Sequence, residues 1–377
     1  MAITQYKFDL EKANSFLDFC CGLYRHDANW IPPLRNRALA QFSPDFPFYR
    51  QAGNDHQHFL ATAAGMNVGH VSAMVNARLK DQDGEPVGLV GFFESVEELS
   101  VATELLGHAS HWLRTQHGVR RIWGPMQFDI WHGYRLLTRG FNGKTFFGEP
   151  YNKPYYPALF ENNSFAVRKN WYSLVLPERA SLEKLGEPWA EDHAGALSAG
   201  YHFAPMDVHD VYTVAALQST IERSYHGFLG LTPLEFDEFK EVFAGYAGVL
   251  DSRFAIGGWD ASGHLCGFAI AYPDHAPAHR AMRGKETAMA KVAFYLRSLA
   301  ARRAVLFMLG ITPEESARRR GLGRALCYHC LSALLAAGFT SLVAALLADD
   351  SPAWPLFGDH KKDAPKRYAL YEARLEA

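Results

Sequence analysis

Arg318-Arg319-Arg320-Gly321-Leu322-Gly323-Arg324 stands between two segments of different period. Before it, Val305-Leu306-Phe307-Met308-Leu309-Gly310-Ile311 is a short apolar run, the pattern of a buried strand. After it, Leu322, Ala325, Leu326, Cys330, Leu331 and Leu334 recur at helical spacing, which predicts a helix from Gly321 to Ala337. A helix start offers unpaired N–H groups and the positive end of a dipole. Two glycines remove the Cβ atoms that would hold a phosphate away from those N–H groups. Cations at that helix end each cost roughly 0.3–1 kcal/mol unless an anion joins them. The segment therefore reads as an anion site, with Arg318, Arg319, Arg320 and Arg324 as bidentate donors.

Working outward, the same order of elements occurs twice. In the second half, a helix is expected from Val208 to Tyr225, and a hairpin joins Phe254–Trp259 to Leu265–Tyr272. The strand and loop above follow, then a strand from Ser341 to Leu346 and a closing strand, Arg367 to Tyr371. In the first half, Phe8 to Tyr24 reads as a helix, His58–Ala63 and Val68–Val75 as a hairpin, and Val87–Phe93 as a strand. A helix from Ser95 to Gln116, a strand at Arg121–Pro125, a short helix at Tyr155–Asn162 and a strand at Tyr172–Leu176 complete it. Gly69 and Gly267 occupy matching places on the two return strands. The expected architecture is α+β: a first domain over 1–178, a linker over 179–200 where charge, Gly and Pro accumulate, and a second domain over 201–377. Each domain is a mixed twisted sheet flanked by helices. Pro273 to Arg303 is an insertion in the second copy, with its own helix from Glu286 to Ala301.

Composition bounds the partners. The chain has 38 basic and 40 acidic residues, a net charge of −2, so no global field draws it to nucleic acid or to a membrane. Its five cysteines form no disulfide framework, and Cys327-x-x-Cys330 lies in an apolar helix without a second ligand pair, so no metal is expected. Met1 to Lys12 has no apolar h-region, and no apolar run approaches membrane-spanning length, which predicts a cytoplasmic protein.

The loop resembles the pyrophosphate loop of the GNAT acyltransferase superfamily, Q/R-x-x-G-x-G/A between that family's fourth strand and third helix. Arg318, Gly321 and Gly323 match its fixed positions. The resemblance implies acetyl-CoA or another acyl-CoA as cosubstrate. It places the pantetheine arm along Leu309, Gly310 and Ile311, where the fourth strand splays from the fifth. The family's N-x-x-A-x-x-L-Y stretch corresponds to Asp350 through Phe357, with Asp350 for the Asn and Phe357 for the Tyr that often protonates the departing thiolate. The first copy has no glycine loop: Glu94 to Glu104 carries four glutamates in its place, which would repel a pyrophosphate. Its end, Tyr156 to Phe165, resembles the family's A-x-x-L-Y-E-K-L-G-F. The implied protein is a tandem GNAT chain whose first copy no longer binds CoA.

The long connection from Trp123 to Tyr155 carries Asp129, Trp131, His132, Tyr134, Glu149 and Tyr151. Such a loop is either a pocket for a small molecule or aromatic packing at the domain seam. The second copy's fourth strand has no acid or histidine, so a base must come from Glu94, Asp129 or His132 across the seam, or from His264 or Asp274. The expected catalytic residues are His132, Asp129 and Glu94; Trp131, Tyr134, Glu149 and Tyr151 are expected to hold the acceptor. The expected reaction is direct acyl transfer to a small-molecule amine. Aminoacyl transfer from a charged tRNA, and a CoA sensor without activity, are the alternatives.

Overall fold

The computed structural model describes residues 1–318, 320–358 and 363–375. The first half opens with β1 (Ala2–Tyr6) and three helices, α1 (Leu10–Leu23), α2 (Arg35–Ala40) and α3 (Pro47–Arg50). Then come β2 (Asp55–Ala63), β3 (Met66–Lys80), β4 (Pro86–Ser95) and the long helix α4 (Leu99–His117). β5 (Arg121–Gly124), β6 (Leu136–Arg139), α5 (Tyr156–Glu161) and β7 (Ala166–Leu176) end it. The stretch expected to be a linker folds instead as α6 (Arg179–Gly186) and α7 (Trp189–Ser198). Gly186 and Pro188 separate those two helices, while Leu182, Trp189 and Ala196 bury themselves in the second core.

The second half runs β8 (His202–Pro205), α8 (Val211–Ser224), α9 (Phe236–Ala247), β9 (Ala255–Trp259) and β10 (Leu265–Pro273). The insertion forms α10 (Ala276–Met282) and α11 (Ala288–Ser298). β11 (Arg303–Ile311), α12 (Pro313–Arg318), α13 (Leu322–Ala336), β12 (Ser341–Ala348) and β13 (Lys366–Arg374) follow.

The repeat is visible in packing as well as in order. A Cβ on Gly69 would press into Leu105 and Val101 of α4, and one on Gly267 into Leu326 of α13. Each glycine lets its copy's principal helix lie close on the sheet. Both copies also pair their fourth and fifth strands in parallel over a short length, Val87–Leu89 with Arg121–Trp123 and Arg303–Leu306 with Ser341–Ala344.

The closing strands do not stay with their own halves. All the strands join one sheet in the order β1-β2-β3-β4-β5-β13-β7-β12-β11-β10-β9-β8, with β6 also paired to β13. β13, the last strand of the second copy, lies between β5 and β7 of the first; β7 in turn pairs with β12 of the second. Ala369, Tyr371 and Ala373 of β13 thereby complete one core of the first half, and Tyr368 and Leu370 the other.

A buried ion pair marks where β13 enters. Lys366 Nζ donates to Glu149 Oε1 and Oε2 at 2.7 and 2.8 Å, and the Tyr368 hydroxyl donates to Oε1 at 2.6 Å. Burial pulls the Lys366 ammonium down and pushes the Glu149 carboxyl up. Removing one partner of such a pair leaves an uncompensated buried charge, at a cost of about 3–5 kcal/mol. Glu149→Ala is therefore expected to lower the urea midpoint sharply, and the double variant Glu149→Ala/Lys366→Met to recover most of the loss. Equal midpoints for the two variants would show that the pair does not hold β13.

Candidate active site

In the first copy the gap beyond the short β4–β5 pairing is filled by the chain itself. Met126 N–H donates to the Val90 carbonyl at 2.8 Å, and a Cβ on Gly91 would collide with the Met126 carbonyl. Phe128 is fully buried beside Phe48 and Phe92. Glu94 is enclosed between the hydroxyls of Tyr24 at 3.0 Å and Tyr156 at 2.5 Å. Burial pushes its carboxyl up to about 7, against the pull of those two hydroxyls. Glu94 does not line the cavity described next, so the structure removes it from the candidate bases.

In the second copy the corresponding gap is open. Beyond Leu306 and Ala344 the strands diverge, and a cavity of about 1460 Å³ enters between them. β11 is paired on its other side to β10 through Ile311, and β12 to β7 through Ala348. The backbone of β11 facing the gap thus has no strand partner among the described residues, and an extended amide-bearing chain can pair with what the Tyr225 hydroxyl leaves open. Leu309, Gly310, Ile311, Gly323 and Asp350 line the cavity, as does Phe357, which packs on Leu174, Ala344 and Leu347 and offers no hydroxyl. Asp350 is mostly exposed and bridged to Lys169.

The glycine loop lies at the mouth of this gap. Gly321 caps α13 at φ +68° with no side-chain hydrogen bond to the helix start, so the first N–H groups of α13 are left for an anion. Leu322 is core. The arginines are less available than their spacing implies. Arg318 is paired with Glu315, which also accepts from Tyr201, and Arg324 approaches Asp192 of α7 at 3.4 Å. Arg320 is exposed, and Arg319 lies outside the described residues. A Cβ on Gly321 would strike the Asp192 carboxylate, whereas one on Gly323 meets only the Cδ1 end of Ile311. What the loop offers an anion is therefore its backbone N–H groups and the helix dipole, because Arg318 and Arg324, expected as a guanidinium clamp, are tied to carboxylates.

Across the cavity stands the long loop of the first copy. Asp129 is buried; it accepts from the Trp131 N–H at 2.8 Å and lies 2.8 Å from His132 Nδ1. The pair fixes the imidazole through Nδ1, with Phe46 and Phe128 against its ring. Trp131, His132 and Tyr134 line the cavity with Asp129. Glu149 borders it too, but its carboxylate is spent on Lys366 and Tyr368. Tyr151 is turned away to Asp27, so neither is a binding group. His264 is exposed in its turn, and Asp274 is held by Arg303 and the Phe147 N–H.

Three groups in the cavity were given no role from sequence, although Arg135 stands out as part of the long loop. Arg135 is buried, with Nε and Nη1 lacking a hydrogen-bond partner among the described residues, and it stacks on Tyr134 at 3.7 Å and Trp171 at 4.6 Å. Its φ of +78° is strained for a side-chain-bearing residue, and burial pulls its pKa down. Ser224 Oγ, beside Gly310, is buried without a hydrogen-bond partner among the described residues. The Tyr225 hydroxyl donates to the Leu309 carbonyl at 3.0 Å and holds the splayed strand in place. No sequence signal marks Ser224 or Tyr225; Arg135 sits in the loop that was singled out.

Residues 217–360 match the model of the acetyltransferase (GNAT) family. Protein YghO of Escherichia coli (strain K12) is 33% identical over 153 residues, 39% of this chain and 37% of that protein. The bacterial ceramide synthase of Caulobacter vibrioides (strain NA1000 / CB15N) is 22% identical over 314 residues, 81% of this chain and 79% of that one. Among solved structures, the tandem GNAT protein from the clavulanic acid biosynthesis pathway superposes with a TM-score of 0.54 at 12% identity, covering 100% of this chain and 99% of that one. The open wedge between β11 and β12, the glycine-started α13 beside it and the duplicated fold agree with these likenesses: the second half matches the acetyltransferase (GNAT) family model, and the whole chain shares the fold of tandem GNAT proteins.

Proposed function

We propose that the protein transfers an acyl group from the thioester sulfur of an acyl-CoA to the amine of an acceptor that has a long apolar portion and an oxygen-bearing head. One observation carries this reading: the cavity, at about 1460 Å³, continues past the β11–β12 wedge to the Asp129–His132 pair and on to Phe46 and Phe48. Pockets for compact ligands occupy about 300–1,000 Å³. The small polar acceptor expected from sequence would leave much of this apolar wall wet. The likeness to the bacterial ceramide synthase, whose name states a lipid product, supports the same reading.

The chemistry needs a neutral amine, and an alkylammonium is neutral to about one part in a thousand at pH 7. In this reading His132, oriented by Asp129, takes that proton on Nε2. The amine nitrogen then bonds to the thioester carbon, and the carbon–sulfur bond breaks. Phe357 cannot protonate the sulfur; the proton that the attacking nitrogen sheds is relayed to the departing thiolate through the unpartnered Ser224 hydroxyl beside Gly310, which gives one proton and takes one. Arg135 receives the acceptor's oxygen head: a desolvated guanidinium with two unused donors is costly until an oxygen acceptor arrives.

Burial of a methylene contributes about 0.8 kcal/mol, roughly fourfold in kcat/KM per added carbon until the cavity is full. A ladder of primary amines of rising chain length should show that climb, and a flat profile would return the reading to a small acceptor. Gly323→Val is expected to weaken CoA binding by about tenfold or more in a folded protein, because the added methyls block the α13 N–H groups. Unchanged affinity by calorimetry would place the phosphates elsewhere. His132→Ala should cut turnover by more than about tenfold at unchanged CoA affinity. Arg135→Met should raise the acceptor KM while leaving CoA affinity unchanged and Tm undiminished, since it removes an unpaired buried charge. A fall in Tm with unchanged KM would make Arg135 a structural residue instead.

A further inference from the structure

The helix α11 is built the wrong way round for a globular surface. Its inner face is Phe294, whose ring rests on His275, the N-cap of α10, and on His279 within α10 at 5.6 and 4.9 Å. None of its residues is buried. Met289 is 83% exposed, Tyr295 and Leu296 62% each, and Val292 58%, with Leu299 just beyond the helix at 60%. At 3.6 residues per turn these five side chains fall in one stripe roughly 120° wide. That stripe faces water. Lys291 and Arg297 stand on its two flanks.

The surrounding charge has one sign. Residues 280–303 hold seven basic side chains and one carboxylate, Glu286, in a chain whose net charge is −2. Arg280 and Arg303 turn inward, to Thr145 and Asp274. Arg283, Lys285, Lys291, Arg297 and Arg302 are exposed, and none is in an ion pair among the described residues. The expectation of no membrane partner followed from the global balance, which conceals this local excess.

We propose that α11 docks the protein on the surface of an anionic lipid bilayer, its apolar stripe entering the acyl boundary and its basic flanks meeting lipid phosphates. An apolar stripe flanked by cations is the pattern of a helix that lies in the membrane interface. A second copy of the chain is the poorer occupant, because a two-fold contact would bring the same unpaired cations face to face. The helix is also tied to the active-site wall. His279 of α10 stacks on Phe147 at 4.2 Å, Phe147 lines the cavity, and the Gly284 carbonyl accepts from the Arg35 N–H at the start of α2. The docking surface stands on its own observations and does not depend on the identity of the acceptor.

The test uses the full chain and vesicles. Sedimentation with vesicles of phosphatidylcholine plus phosphatidylglycerol should pull the protein down, salt should weaken that binding, and phosphatidylcholine alone should bind at least about tenfold less. Leu296→Asp/Leu299→Asp should abolish binding, and Lys291→Glu/Arg297→Glu should remove the preference for anionic vesicles. Both variants should keep full turnover of a soluble short-chain amine and an unchanged Tm, which separates loss of docking from loss of fold. Absence of vesicle binding, equal binding to both vesicle types, or concentration-dependent self-association that Leu296→Asp/Leu299→Asp abolishes would each overturn the proposal.

Discussion

The position of β13 is the constraint on which the rest of the molecule depends. A strand that enters the sheet between β5 and β7 closes two cores of the first half with side chains supplied some 250 residues later, as the 2.9 Å bond from Trp123 Nε1 to Glu372 Oε2 illustrates. In exchange, β7 supplies the neighbour that β12 needs. Neither half has a complete sheet without the other. The relation of the two copies is therefore set by backbone hydrogen bonds and a desolvated lysine–carboxylate pair, which fix geometry far more tightly than a surface interface would. A cavity walled by both halves can then hold a constant shape. The corresponding cost is in folding: pairings of such sequence separation form late.

The same duplicated wedge meets opposite fates in the two copies, and one segment accounts for both. Residues 126–128 fold back against β4 and fill the first wedge with Met126 and Phe128. The chain then continues directly into Asp129, Trp131, His132 and Arg135, which face the second wedge. Closing one site and furnishing the other are thus consequences of a single loop conformation, held by the Arg135 N–H to Pro125 carbonyl bond and the Met126–Tyr134 bridge. Glu94 belongs to the closed side. The glutamates that spoil the first copy's anion loop did not make it a base for the second; the Tyr24 and Tyr156 hydroxyls lock it in the wall.

What could be read from the sequence was whatever depends on local period or local chemistry. The apolar run before Ile311, the glycines at 321 and 323 and the helix after them identify the wedge, and two glycines at matching places identify the repeat. The Asp129–His132 pairing was within reach because both residues lie in one conspicuously long loop. The strand exchange was out of reach: Tyr172-Ser173-Leu174 and Arg367-Tyr368-Ala369 have the same pattern whether each closes its own half or the other's. So was the state of the arginines, since Glu315 and Asp192, which bind Arg318 and Arg324, sit in helices whose packing no spacing reveals. Charge, Gly and Pro between 177 and 200 suggested a linker because those residues do punctuate chains, but here they separate helices whose apolar faces are short.

Three features that break local rules bear on the cavity. Arg135 combines a strained φ, a desolvated charge and two unused donors, each of which costs free energy in the isolated protein. Ser224 hides a hydroxyl without a partner where a methyl would pack as well. The α11 stripe leaves large apolar side chains in water while Phe294 packs on His279. Other buried polar atoms also lack partners, His58 Nε2 and Trp131 Nε1 among them, but Arg135 is where an unpartnered buried charge and a positive φ coincide. Two of the three features lie inside the cavity and the third on a helix anchored to its wall through Phe147. A ligand with an oxygen head and a long apolar body, drawn from a lipid surface, would satisfy all three at once; a small polar amine free in solution would leave the stripe unsatisfied.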